Sequence, residues 1–162
     1  MSEPEGNYMR VARMVAGSTT IITAALGLSM ATAGPAAAAD SGSWRAYGNT
    51  NPITSSSSTW HCAGTKALAT DVGAQVCAIR SSGGGAVQGA VIVRNNRSSL
   101  YSVQAGMDLY NSSGKLGAWV CSSSGVGANS WSVCFGETIS QSGSVDSVGI
   151  ANGVNLGISP KV

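Results

Sequence analysis

The stretch Tyr101-Ser102-Val103-Gln104-Ala105-Gly106-Met107-Asp108-Leu109-Tyr110 alternates between apolar residues and small or polar ones. Successive side chains of a β-strand point to opposite faces, so a period of two predicts a strand with one face on an apolar core. No segment after residue 39 shows the 3.6-residue apolar repeat that indicates an amphipathic helix. The sequence therefore predicts an all-β domain.

A second predicted strand, Val87 to Asn95, is richer in β-branched residues. Its apolar run Val91-Ile92-Val93 favours burial on both faces or a central position in the sheet. The connection from Asn95 to Ser99 has turn composition, so the two strands are expected to pair as a hairpin.

Six further segments have strand composition and are separated by turns rich in Gly, Ser and Asn. They are Thr59–Ala63, Ala74–Arg80, Gly117–Ser122, Ser130–Phe135, Ser144–Ala151 and Val154–Ile158. Many short strands at regular intervals are typical of an antiparallel sandwich or barrel. We expect about seven or eight strands.

The stretch from Ala90 to Leu116 resembles part of an immunoglobulin-like module of small secreted bacterial proteins of actinobacterial type. One strand ends in Val93-Arg94-Asn95, and the next ends in Met107-Asp108-Leu109-Tyr110-Asn111. Such modules carry a Phe-x-Leu-Tyr-Asp motif there, with Met107 and Asn111 as departures in this chain. The resemblance implies an immunoglobulin-like β-sandwich, and because the motif is structural it transfers no site residues.

All four cysteines lie after residue 39, at Cys62, Cys77, Cys121 and Cys134. An even number of cysteines in an exported chain predicts two disulfides, for which three connectivities are possible. We favour Cys62–Cys77 and Cys121–Cys134, since each pair closes a short ring between neighbouring strands. A zinc site is disfavoured, because there is no Cys-x-x-Cys spacing and only one histidine.

The first 39 residues have the pattern of a secretory signal peptide. Arg10 and Arg13 precede the short apolar run Ile21–Leu28, and Ala37-Ala38-Ala39 forms a peptidase site. Cleavage is expected between Ala39 and Asp40, with translation starting at Met1 or at Met9. The alternative is an uncleaved membrane anchor, for which the strongly apolar part is short.

The remaining chain, Asp40 to Val162, is long enough for one domain. Residues 40–58 are rich in Ser, Gly and Asn and are expected to form a flexible leader before a sandwich domain at 59–162. Seven basic and five acidic side chains are scattered along it, a net charge of +2. Without a basic stripe, nucleic acid is not an expected partner.

No catalytic constellation is recognisable in the sequence. His61 is the single histidine, and no Gly-x-Ser-x-Gly elbow occurs. Three acidic residues remain as candidates for a carboxylate pair, and their spacing suggests none: Asp108, Glu137 and Asp146. We therefore predict no catalytic residue, no metal and no cofactor.

Aromatic residues provide the best binding candidates. Trp119 and Trp131 share strand faces with core residues, whereas Trp44 and Tyr47 lie in the polar leader and are predicted to be exposed. We expect a secreted, monomeric, non-enzymatic module that binds a polysaccharide or an extracellular protein through Trp44 and Tyr47. No membrane association is expected once the signal peptide is removed.

Two other functions stay open at the level of sequence. The first is a protease inhibitor that presents the segment Ser122–Asn129, held inside the Cys121–Cys134 ring. The second is a small secreted hydrolase that uses His61.

Overall fold

The computed structural model describes residues 38–162 of the chain. The predicted signal peptide and the alternative start at Met9 therefore lie outside the described residues, apart from the last two residues before the expected cleavage site. Within the described part, no helix is long and apolar enough to cross a membrane.

The described residues form twelve β-strands and no helix, which confirms the all-β prediction. The strands are β1 (Asp40–Ser41), β2 (Ser43–Gly48), β3 (Thr59–Cys62), β4 (Lys66–Ala69), β5 (Val72–Arg80), β6 (Ala86–Asn95), β7 (Tyr101–Asn111), β8 (Gly114–Val126), β9 (Ser130–Phe135), β10 (Ile139–Ser140), β11 (Asp146–Ala151) and β12 (Val154–Ile158). The count exceeds the seven or eight expected by four strands, because β1, β4 and β10 are pairings of two to four residues and β2 lies in the segment that was expected to be a flexible leader.

The strands form two sheets. The five-stranded sheet has the order β1-β8-β7-β11-β12, and all its pairs are antiparallel except β1 with β8. The seven-stranded sheet has the order β2-β9-β6-β5-β3, with β4 also on β5 and β10 also on β6. The three central strands of the seven-stranded sheet, β9-β6-β5, pack against β8-β7-β11-β12 of the other sheet as in an immunoglobulin-like sandwich. Several connections cross from one sheet to the other.

The predicted hairpin between β6 and β7 is wrong. β6 pairs with β5, β9 and β10, whereas β7 pairs with β8 and β11 in the other sheet. The reason is Asn95, which is fully buried at the end of β6. Its Nδ2 donates hydrogen bonds to the carbonyls of Ser99, Val126 and Gly127, and its Oδ1 accepts from the Arg97 amide. These four bonds fix a corner, so the chain changes sheet instead of turning back on itself.

The main core lies between the two sheets. Alternate residues of β7 that were predicted to face it are buried: Val103, Ala105, Met107 and Leu109. Trp119 of β8 is also buried there, as its shared parity with Cys121 predicted. The sheets approach closely at Gly149, where an added Cβ atom would lie 2.7 Å from Cβ of Val76.

Both disulfides have the favoured connectivity. Cys62–Cys77 joins directly opposed residues of β3 and β5 within one sheet. Cys121–Cys134 joins β8 to β9 and therefore links the two sheets covalently. No free cysteine is present among residues 38–162.

Residues 40–58 differ from the flexible leader that was expected. They supply β1, which pairs with β8, and β2, which pairs with β9, so the segment adds an edge strand to each sheet. Beyond β2, Pro52 is buried and Ile53 packs on the outer face of the seven-stranded sheet. Polar composition did not reveal this, because an edge strand exposes most of its side chains and needs few apolar residues.

Candidate ligand-binding face

The outer face of the seven-stranded sheet carries a second, smaller apolar cluster. Its buried members are Cys77, Ile79, Ala90, Ile92 and Val133. Half-buried aromatic residues pack around them, and Trp60 meets Phe135 edge to face at a centroid distance of 6.0 Å. This explains why Val91-Ile92-Val93 reads as buried on both faces, as the sequence predicted.

A cleft of about 240 Å³ opens at the end of this face where Trp131 lies. Its walls come from β5, β6, β9 and the segments next to them. They are Thr65, Gly73, Ala74, Gln75, Ile92, Arg94, Asn96 and Trp131. The strand register brings these residues together, because Gly73 is directly opposite Arg94 and Arg94 is directly opposite Trp131.

The guanidinium group of Arg94 lies over the Trp131 ring, 5.2 Å from its centroid. Its Nε donates to Oδ1 of Asn96, and its Nη1 donates to Oδ1 of Asn49 at 3.0 Å and to the carbonyl of Asn129 at 2.9 Å. All three acceptors are neutral. The geometry thus orients a cationic group against the cleft without neutralising it.

The polar lining also includes Gln75 of β5. Its Nε2 donates to the carbonyl of Ala63 at 3.0 Å, which fixes the side-chain amide. Its Oε1 accepts no hydrogen bond from the residues that the structure describes, so this oxygen is free to accept one from a bound hydroxyl group. The cleft therefore combines one indole, one guanidinium and side-chain amides.

A second cation–π pair lies beside the cleft. The guanidinium of Arg45 is 5.2 Å from the ring centroid of Tyr47, which packs with Trp131 in the outer cluster. Arg45 is opposite Val133, and Gly48 is opposite Trp131, so β2 runs alongside the Trp131 strand. Asn49, directly after β2, is the residue that accepts a hydrogen bond from Arg94.

Trp44 and Tyr47, the two binding residues predicted from sequence, do not form one platform. Trp44 is opposite Cys134 and packs on the main core between the sheets, whereas Tyr47 belongs to the outer cluster. The indole Nε1 of Trp44 donates to the Ser122 carbonyl at 2.7 Å. Trp44 is half-buried rather than exposed, so its role is to hold the β2 edge on the sandwich.

His61 is exposed on β3, and its Nδ1 is hydrogen-bonded to the carbonyl of Lys161. No side chain of a serine or an acidic residue forms a hydrogen bond with it in the described part of the chain. The structure therefore brings no nucleophile and no orienting carboxylate to this histidine.

The segment Ser122–Asn129, predicted as a possible inhibitory loop, is mostly strand. Ser122 to Val126 belong to β8 and pair with the start of β7, leaving a short turn that ends at Asn129 with φ of 48°. A loop extended into solvent for a protease is not present there.

The outer face of the five-stranded sheet has a different character. Val120 and Ile150 share one row of it and are exposed, and the exposed Ile158 lies in the next row with Asp108. Nζ of Lys115 lies 2.7 Å from Oδ2 of Asp108, and the hydroxyl of Tyr110 donates to the same oxygen.

The hydrogen bond with Asp108 raises the pKa of Lys115 above its ordinary value of 10.5. A raised pKa in the folded state means that this pair stabilises the fold fully below pH 10.5 and stops doing so as the pH rises through the higher folded value. Because the pair is exposed, its contribution is small.

Within residues 38–162, no group of three or more His, Cys, Asp or Glu residues is arranged to hold a metal ion. The three candidate carboxylates do not form one cluster. Asp146 of β11 is opposite Tyr110 and Asp108 of β7 is opposite Val148, so these two are diagonal neighbours on the outer face of the five-stranded sheet, whereas Glu137 follows β9 in the other sheet.

Sequence reasoning missed the cleft, because Arg94, Gln75 and Asn96 come from separate strands and look like ordinary surface residues. Trp131 was assigned to the core on its shared parity with Val133 and Phe135, and it does pack with them. That parity, however, faces the outside of the sandwich. The one available signal was the apolar run Val91-Ile92-Val93, which predicts a second apolar face and hence something covering it.

No protein-family model matches this chain, and a search of curated proteins finds no significant relative. The function is therefore inferred from the geometry and chemistry of the outer face.

Proposed function

We propose that this protein is a secreted, non-enzymatic module that binds polysaccharide through the Trp131 cleft. The observation that carries the proposal is the half-buried Trp131 ring in a concave site lined by Gln75, Arg94 and Asn96. Protein sites that bind small molecules combine apolar or aromatic surface with a few fixed polar groups. A sugar ring presents the matching chemistry, with apolar C–H faces and hydroxyl groups at its rim.

Export is part of the proposal. Two intramolecular disulfides are typical of extracellular proteins, because the cytosol keeps thiols reduced. The N-terminal pattern of a signal peptide supports the same location. The molecule would act as a monomer outside the cell, with no metal or cofactor.

The test is retention of the purified protein on insoluble chitin, cellulose and bacterial cell wall. Trp131→Ala should lose at least about thirtyfold in affinity, since truncation of a central aromatic residue in a binding site costs about 2 kcal/mol or more. Tyr110→Ala is the matched control, because Tyr110 is an equally half-buried aromatic residue on the five-stranded sheet. It should be retained like the unaltered protein.

Circular dichroism of both variants shows whether they fold. Retention of folded Trp131→Ala at the unaltered level would refute the cleft as the site. Polysaccharide binding would be refuted altogether if the unaltered protein bound none of these three insoluble polymers and none of the soluble polymers polygalacturonate, dextran sulfate and dextran.

A further inference from the structure

We infer that the ligand is an anionic polysaccharide, recognised through its carboxylate or sulfate groups by Arg94 and Arg45. This inference rests on the proposed function and adds the substrate class of the same site. Binding of a neutral polysaccharide needs only Trp131 and side-chain amides that bind hydroxyl groups. Binding of an anionic polysaccharide depends in addition on two guanidinium groups that the fold leaves without a counter-charge.

Arg94 is the stronger of the two groups. Its Nε and Nη1 are held by Asn96, Asn49 and Asn129, and its Nη2 donates to no acceptor among residues 38–162. A guanidinium that is fixed in place loses little conformational freedom on binding, and its paired N–H groups match a carboxylate or sulfate. The position over Trp131 keeps it at the cleft wall.

Arg80 shows what a purely structural arginine looks like in this fold. Both of its Nη atoms are satisfied, because Nη1 donates to the carbonyls of Gly84 and Gln141 and Nη2 to those of Gly143 and Val162. Arg94 differs because its Nη2 donates no hydrogen bond to residues 38–162. The difference favours a ligand role for Arg94 in addition to its contacts with the protein.

Arg45 extends the cationic surface along β2. It is exposed, its side chain forms no hydrogen bond with the described residues, and its guanidinium lies over the Tyr47 ring. Because Arg45 lies one row along from the Trp131–Arg94 row, a chain that occupies the cleft passes both cations. Repeating charges along a polymer suit such a spacing.

No acidic side chain among residues 38–162 forms an ion pair with Arg94 or Arg45. The single ion pair found there joins Lys115 and Asp108 on the other sheet. Asp71 lies in the turn before β5, and its backbone carbonyl accepts a hydrogen bond from the backbone N–H of the cleft residue Asn96. It makes no ion pair with Arg94 or Arg45.

The experiment is affinity electrophoresis of the purified protein through gels that contain polygalacturonate, dextran sulfate or neutral dextran. We expect retardation by one or both charged polymers, weakening as salt is raised, and none by dextran. Polygalacturonate and dextran sulfate distinguish carboxylate from sulfate as the recognised group.

Two variants locate the effect. Arg94→Lys keeps the charge but loses the planar fork, and should weaken binding of the charged polymer about tenfold. Arg45→Gln touches no hydrogen bond and should weaken it about threefold without altering thermal unfolding. Lys115→Gln removes the same unit of charge from the opposite face and should leave binding unchanged.

Equal weakening by Lys115→Gln and Arg45→Gln would overturn the inference, because net charge alone would then account for binding. Retention on the neutral polymers, lost in Trp131→Ala but unaffected by either arginine variant, would leave the proposed function standing and refute the anionic ligand. Binding of single-stranded DNA in preference to both charged polysaccharides would also refute it.

Discussion

Arg80 and Asn95 each hold together segments that are far apart in sequence. The guanidinium of Arg80 donates to four carbonyl groups, which come from the β5–β6 turn, from the region around Gln141 and from Val162. Asn95 performs the corresponding task at the corner between β6 and β7. Both are polar residues whose structural value lies in satisfying carbonyls that the sheets leave unpaired.

The Arg80→Ala variant should lose about 3 kcal/mol of unfolding free energy, because three partly buried carbonyls and one exposed carbonyl lose a charged donor together. Urea unfolding followed by tryptophan fluorescence measures the change. Arg97→Ala serves as the control, since Arg97 is exposed, its guanidinium lies 6.0 Å from the Tyr101 ring centroid, and its side chain forms no hydrogen bond among residues 38–162. If both variants lost the same unfolding free energy, the four hydrogen bonds from Arg80 to carbonyl groups would not be what stabilises the fold.

At the scale of elements, the sandwich depends on how closely β11 approaches β5. Gly149 of β11 is buried, and an added Cβ would lie 2.7 Å from both Cβ and Cγ2 of Val76. Cβ of Val76 is fixed to the backbone and cannot move aside alone. The distance between the sheets at this point is thus set by the absence of a side chain.

Gly149→Ala should therefore destabilise the fold by about 1–3 kcal/mol through overpacking. Gly85→Ala is the matched control, because nothing lies within 4 Å of a Cβ at that turn position. Thermal unfolding of the two variants should show a lower Tm for the first and little change for the second. An unchanged Tm for Gly149→Ala would mean that the sheets separate without cost.

The elements themselves were largely predictable from the sequence, but their partners were not. Alternation at Tyr101–Tyr110 and the apolar run Val91-Ile92-Val93 report local periodicity, which the backbone imposes on every strand. Pairing depends on Asn95, whose bonds reach Val126 and Gly127, more than thirty residues away. Nothing in the local pattern of residues 95–99 distinguishes a corner from a hairpin turn.

At the scale of the whole molecule, the two outer faces differ in chemistry. The five-stranded sheet presents exposed aliphatic residues and a neutralised ion pair. The seven-stranded sheet presents Trp131, Tyr47 and two arginines without acidic partners. The predicted pairing of cysteines and the all-β class follow from sequence, whereas this division between faces appears only once β5, β6 and β9 are assembled.

Tyr47 keeps a place on the proposed face, and Trp44 does not. The sequence placed both in a leader, where neither the strand β2 nor its faces were visible. Trp44 and Tyr47 are three residues apart, so alternation along β2 puts Tyr47 on the outer side with Arg45, opposite to the side of Trp44. The parity of β2 thus separates the two aromatic rings onto different faces of the sheet.

The measurement that tests the central claim most directly is a ¹H–¹⁵N NMR titration of the purified protein with short oligomers of polygalacturonate and, in a second sample, of dextran sulfate. We predict that the shifted signals cluster at Gly73, Arg94 and the Trp131 indole N–H, because these groups line one cleft on the seven-stranded sheet. Shifts centred on Val120 and Ile150 of the other sheet, or no shifts at millimolar oligomer, would contradict the account.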